Sequence, residues 1–259
     1  MVSRFDRAML VLAVVPAVLA ALLLVRPRFV TDAWPFPGTT EVTFIFLASI
    51  LAAAAASTAW AALYGERLSY VGIALDMLVI FCPMVAYLVV LSPPRGGGLT
   101  IVLVGSIAVV LAGAWMLWVS WGRPARDPRP TPRVVLGAFG FFLVALILVG
   151  GALVLGTPDI LPWQVPPEIS VVCGLIFLGA GAYFGFGLWR RSWSNAGGQL
   201  AGFLAYDVVL IVPFVTRLST IPDKWRISLV LYILVLVVSG AVAVWHLFVD
   251  RRTRLGPKP

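Results

Sequence analysis

Asp76 and Asp207 each interrupt a long apolar run. A carboxylate at the centre of a membrane helix costs about 2.5–3.5 kcal/mol on insertion scales, so its presence there needs a reason. Three reasons fit an acid in hydrocarbon: a proton relay, a contact to a ligand, or a hydrogen bond that ties one helix to the next. Counting from the ends of their apolar runs places both acids about 10–12 Å deep, at 1.5 Å per residue. The single histidine, His246, falls at a depth compatible with Asp207. A His–Asp pair titrates near neutral pH and can pass protons.

A second constellation lies in two loops. Asp32 is followed three residues on by Pro35, then by Phe36, and nine residues on by Glu41; Asp159 is followed in the same way by Pro162, Trp163 and Glu168. Four carboxylates on one surface can do acid–base work or hold a hard cation. The same residues also read as helix-start grammar. Glu41 follows Thr39-Thr40 and Glu168 follows Pro166-Pro167, each a cap or Pro before an acid that the helix dipole favours. Trp34 and Trp163 are then expected as interfacial anchors, and Trp118 and Trp245 likewise at the other ends of the helices. Trp115, Trp121, Trp189 and Trp193 extend that second belt, which a lipid, quinone or carotenoid could also use as a platform.

Other chemistry is not indicated. The two cysteines, Cys82 and Cys173, sit singly in apolar runs, and with one histidine the chain offers neither a disulfide framework nor a zinc site. No phosphate-binding loop, HExxH or nucleophile elbow occurs in the sequence.

The elements that must position these residues follow from composition. Of 259 residues, 61% are hydrophobic and 12% charged, and the mean hydropathy is +1.02. Soluble domains carry roughly twice that charged fraction, so the expected solvent is a bilayer. The backbone must then satisfy its own hydrogen bonds, and runs of spanning length without alternation specify helices rather than a barrel. Eight spans are expected, at 8–25, 41–64, 70–91, 99–121, 134–156, 168–189, 199–217 and 227–249. The first, after Arg4 and Arg7, is too long for a signal-peptide core and reads as an uncleaved span. Short loops imply that successive helices pack as antiparallel neighbours.

Thirteen of the nineteen Lys and Arg fall on the side of the two termini, against six, including Arg26, Arg95 and Arg217, on the other. Both termini are therefore expected in the cytoplasm. The net charge of +8 is a collar facing lipid headgroups and implies no nucleic-acid partner. Between the fourth and fifth spans, the Pro- and Arg-rich stretch 123–133 reads as a semi-rigid polyproline spacer.

A displacement of 127 residues superimposes the two loops, brings Gly113-Ala114 onto Gly240-Ala241, and brings Trp118 onto Trp245. With a small insertion it also pairs the Gly72–Asp76 segment with Gly202–Asp207. His246 falls on Val119, so a His–Asp pair would not be a duplicated device. The expected fold class is an all-α integral membrane protein of eight transmembrane helices forming two parallel four-helix repeats, residues 1–122 and 134–259, joined by the linker 123–133. Ala48, Ala52 and Ala56 in the second span, and Gly181 and Gly185 in the sixth, form small-residue faces, which predicts those two helices as a central pair.

The loop residues Trp34-Pro35-Phe36 and Leu161-Pro162-Trp163 resemble the Trp-Pro-Trp type outer loop of multi-pass membrane proteins from high-GC bacteria. The resemblance covers the loops and the helices after them, departs from the fuller pattern that continues Leu-Thr-Pro, and implies a bacterial plasma-membrane location but no function. The function expected is a non-catalytic scaffold, accessory subunit, or lipid- or apolar-ligand-binding module, with membrane lipids and a membrane protein as partners. The alternative is a proton-coupled transporter or permease using Asp76 and Asp207.

Overall fold

The computed structural model describes residues 3–91 and 97–254; Arg95 and Lys258, both counted for orientation, lie outside them. Helix makes up 79% of the chain, with no strands among the described residues. The helices are α1 (Arg4–Val25), α2 (Arg28–Asp32), α3 (Glu41–Tyr64), α4 (Ser69–Leu91), α5 (Gly97–Ser120), α6 (Arg133–Val154), α7 (Pro167–Trp189), α8 (Trp193–Arg217) and α9 (Asp223–Val244), the last running into a π-helical turn, Trp245–Val249. Eight are long and apolar enough to cross a membrane, all but the one-turn α2. The protein is an all-α multi-pass membrane protein. The start of α1 and the end of the described residues lie on one face, called here the terminal face; the loops at 26–40 and 155–166 lie on the distal face.

Three helix starts lie four or more residues ahead of the apolar runs, at Arg4, Trp193 and Asp223. Helix α1 begins at Arg4 because Ser3 and Asp6 form a capping box, the Asp6 N–H donating to Ser3 Oγ at 3.1 Å and the Ser3 N–H to Asp6 Oδ2 at 3.3 Å. Helix α8 begins at Trp193, ahead of its apolar run, and its first turns are buried. Ser194 donates to the Asp127 carbonyl at 3.0 Å and Asn195 to the Arg190 carbonyl at 3.1 Å. Hydropathy marks where lipid contact begins, and the first turns of α8 are covered by protein.

The packing has an inner and an outer set. Helices α3, α4, α7 and α8 bury 28–72% of their apolar windows, whereas α1, α5, α6 and α9 bury 17–22% and face lipid. Each outer helix lies on one inner helix: α1 on α3, α5 on α4, α6 on α7 and α9 on α8. The inner set is closed by α3 against α8 and α4 against α7. Successive helices are therefore not always neighbours. Helices α3 and α4, and likewise α7 and α8, are joined by tight turns yet make little contact, because each is held by a helix from the other half of the chain.

The expected α3–α7 pairing through small residues is corrected by the same geometry. Helix α3 makes its close approach to α8, where Gly202 lies against Ser57 and the Ala53 carbonyl. The stripe of Gly181 and Gly185 on α7 faces Leu143, Leu146 and Ile147 of α6. At the crossing of α6 on α7, backbone lies against backbone. A Cβ added to Gly150 would stand 2.8 Å from the Gly174 carbonyl oxygen, and one on Gly174 would stand 2.7 Å from that of Gly150. With glycine at both positions the backbones meet directly.

The stretch 123–133 is a strap lying along the terminal face. Arg126 N donates to Glu66 Oε2 at 2.8 Å, Thr131 N to the Arg191 carbonyl at 3.1 Å, and Trp193 N to the Arg129 carbonyl at 2.7 Å. It therefore fastens the α3–α4 turn to the α7–α8 junction.

Candidate functional site

Asp76 sits on α4 at the crossing with α7. Gly72, one turn before it, lies under the Tyr183 ring and against Phe186, and Gly179 of α7 faces Asp76 itself, its added Cβ falling 2.6 Å from Asp76 Oδ1. Two glycines thus let the helices approach closely enough to enclose a carboxylate. Asp76 Oδ1 is sealed from solvent and has no hydrogen-bond partner. Gln199 Oε1 and Trp60 Nε1 are in the same condition, and the Tyr183 hydroxyl stands beside Ser57.

These groups form one centre drawn from all four inner helices. Gln199 of α8 donates to the Tyr183 carbonyl at 2.6 Å, and Ser57 of α3 donates to the Gly198 carbonyl at 3.0 Å. The Tyr183 hydroxyl lies 3.5 Å from where a Gly198 side chain would begin, and the Trp60 ring covers Gly197. Buried polar groups in proteins are nearly always paired, and in hydrocarbon the cost of leaving them unpaired is several kcal/mol each. A cluster of them at a helix crossing can hold a proton, water or a small polar solute.

Asp207 is placed differently. Ser239 of α9 lies 2.9 Å from its Oδ2 and 3.1 Å from its Oδ1, donating to the carboxylate, and Gly240 packs beside it. The two aspartates are not equivalent, and the reason is a single residue. Gly72 and Gly202 occupy corresponding crossings, but Asp76 follows its glycine by four residues and Asp207 by five. At about 100° per residue, four residues return to within about 40° of the same face and five rotate about 140° away. Asp76 therefore meets α7, and Asp207 meets α9.

His246 does not join Asp207. It lies in the π-helical turn, buried, with Nδ1 3.5 Å from Asp250 Oδ2, its carbonyl accepting from Thr253 Oγ1 at 2.7 Å and its ring 6.3 Å from Trp193. It belongs to the closure of the terminal face.

The four distal carboxylates have separate roles. Glu41 pairs with Arg26 at 2.7 Å. Asp159, in a left-handed conformation at φ 55°, accepts from Trp225 Nε1 at 2.8 Å and from Lys224 Nζ at 3.1 Å. Those bonds, Trp225 first and Lys224 next, hold its carboxyl below the usual range. Asp32 is exposed at the end of α2, and Glu168 lies in the first turn of α7. No group of three His, Cys, Asp or Glu among the described residues is placed to hold a metal ion.

Among the aromatics, Trp118 and Trp245 are exposed. Trp34 is half-buried and donates to Thr39 Oγ1 at 2.8 Å. Trp163 is not an interfacial anchor. It is 2% exposed, donates to Thr43 Oγ1 of α3 at 3.0 Å, and packs on Phe46, Phe214 and Tyr232. With Phe177, and with Tyr206 hydrogen-bonded to Tyr232, it closes the distal half of the bundle over the polar centre.

Sequence reasoning missed Tyr183, Ser57, Trp60 and Gln199, because a single polar atom in an apolar run has no periodicity to reveal it. Glu66, which sequence reasoning does not single out, is fully buried with Oε1 accepting from Leu68 N at 3.0 Å.

Comparison with known proteins adds no relative: no family profile, curated protein or solved structure matches the chain. The fold and its spans define a polytopic membrane protein whose inner helices enclose a polar centre.

Proposed function

We propose that the chain is a proton-coupled permease of the plasma membrane in which Asp76 is the protonatable group of a central site. The observation that carries this reading is one Asp76 oxygen, Oδ1, buried without a partner at the meeting of α4 with α7. An acid kept in a membrane only to tie helices together would have its donor, as Asp207 has Ser239.

A duplicated architecture is supported by the packing. Exchanging α1 with α6, α3 with α7, α4 with α8 and α5 with α9 converts each pairing into another of the set: α1–α3 into α6–α7, α4–α5 into α8–α9, and α3–α8 into α7–α4. An even number of spans per half gives both the same orientation, as in transporters built from parallel repeats. The excess of Lys and Arg favours a cytoplasmic terminal face. On that reading the aromatic layer around Trp163 is the closed outer gate, and any ligand entering from outside has to displace it.

The test is modification by dicyclohexylcarbodiimide, which enters lipid and reacts with protonated carboxyls there, followed by peptide mass spectrometry of the membranes. Asp76 is expected to be labelled, more slowly as pH rises, and Asp76→Asn to lose that label while Glu41 and Asp159 stay unmodified. Absence of label on Asp76 across pH 5–9 would overturn the reading.

A further inference from the structure

We infer that a groove on the terminal face, between the first turn of α1 and the end of α5, is a binding site for one anionic phospholipid. The groove has a volume of about 580 Å³ and is lined by Phe5, Arg67, Trp118, Val119, Trp121 and Arg123, with Gly122 at its edge. Its chemistry is divided as a phospholipid is divided. Trp118 and Trp121 are 77% and 58% exposed at the end of a lipid-facing helix, where indole rings favour the level of the headgroups. Arg67 and Arg123 supply charge at that same level.

The chain builds this arrangement locally. Gly122, at φ 75°, turns the chain at the end of α5, and Arg123 folds back so that its Nε donates to the Val119 carbonyl at 3.5 Å. Arg67 is fixed from below. Its guanidinium lies 3.8 Å over the Phe5 ring, with Asp6 at 3.6 Å and Ser3 Oγ accepting at 3.3 Å. Asp6 offsets the charge of Arg67, so among the described residues Arg123 is the cation of the groove without an ion pair; Arg4 and Arg7 are exposed on the first turns of α1. A phosphate diester accepts the forked N–H groups of arginine, and its acyl chains continue down the apolar outer face of α5, where Leu111 and Val104 are exposed. A soluble anion would use the arginines and leave the tryptophans without a role.

Native mass spectrometry of the full chain in mild detergent, titrated with phosphatidylglycerol, phosphatidylcholine of the same chain length, or inorganic phosphate, tests the site. One phosphatidylglycerol is expected to be retained in preference to phosphatidylcholine. Arg123→Gln is expected to weaken that binding about fivefold, from roughly 1 kcal/mol per basic residue at an anionic surface, and Arg123→Lys to restore most of it. Arg123 is exposed, so its variants fold as the parent does, checked by an unchanged unfolding midpoint. Equal retention of the two lipids, an unaltered Arg123→Gln, or saturation by inorganic phosphate would each overturn the inference.

Discussion

Replacing Gly150 by Ala adds one methyl where the backbones of α6 and α7 meet. That methyl would meet the Gly174 carbonyl oxygen at 2.8 Å and Leu178 N and Cγ at 3.1 Å. Backbone atoms cannot turn aside as the end of a side chain can, so α6 and α7 must separate by several tenths of an ångström along a crossing that buries much of α7. Overpacking of this kind costs about 1–3 kcal/mol, against which alanine gains about 0.5–1 kcal/mol over glycine within a helix. The clash wins, and a net loss of about 1–2 kcal/mol is expected. The same helix supplies its own control, because an added Cβ at Gly137 or Gly140 has nothing within 4 Å. Reversible unfolding in mixed micelles, read by circular dichroism, is expected to place Gly150→Ala below the parent and Gly137→Ala level with it or above. Gly150→Ala as stable as Gly137→Ala would refute the assigned crossing.

Three further outcomes follow from the geometry. Ser239→Ala leaves the Asp207 carboxylate without its donor and is expected to lower the unfolding free energy by about 1 kcal/mol, the scale of interhelical hydrogen bonds in membranes, with Asp207→Asn/Ser239→Ala showing less than the sum of the single changes. Trp163→Ala opens a cavity at the distal closure and is expected to cost about 3–5 kcal/mol, whereas Trp163→Phe, losing chiefly the bond to Thr43, costs about 1 kcal/mol; equal effects would place Trp163 outside the core. Asp159 has a lowered pKa in the folded chain, so the contribution of its clip is present above the ordinary carboxylate value near 3.9 and is lost as pH falls through the lower folded value. The acid-induced change in Trp225 fluorescence is therefore expected below about pH 4 and is expected to vanish in Asp159→Asn.

Much of this architecture is legible in the chain because a bilayer imposes it. Eight apolar runs, bounded by Pro, Gly and charge, give the eight spans, and the helix-start residues Thr40 and Pro167 mark where α3 and α7 begin. What hydropathy does not carry is which faces meet. The small residues of α3 and α7 are visible in sequence, but their partners, α8 for α3 and α4 and α6 for α7, depend on the three-dimensional exchange between halves. Asp76 and Asp207 look equivalent when aligned by their apolar runs; the extra residue between Gly202 and Asp207 turns one of them onto α9. Trp163 looks like an anchor because it is a tryptophan beside prolines at a helix end, and only the packing of Phe46, Phe214 and Tyr232 around it makes it core.

The proposed function rests on water reaching Asp76 through the bundle, and cysteine accessibility measures that directly. In a Cys82→Ser, Cys173→Ala background, Asp76→Cys in intact membranes is treated with a charged, lipid-insoluble methanethiosulfonate and, separately, with lipid-soluble N-ethylmaleimide. A hydrated permease site predicts modification by the charged reagent, since that reagent can arrive only through an aqueous path. Reaction with N-ethylmaleimide alone, or with neither until the protein is unfolded, would show the centre to be dry and contradict the account.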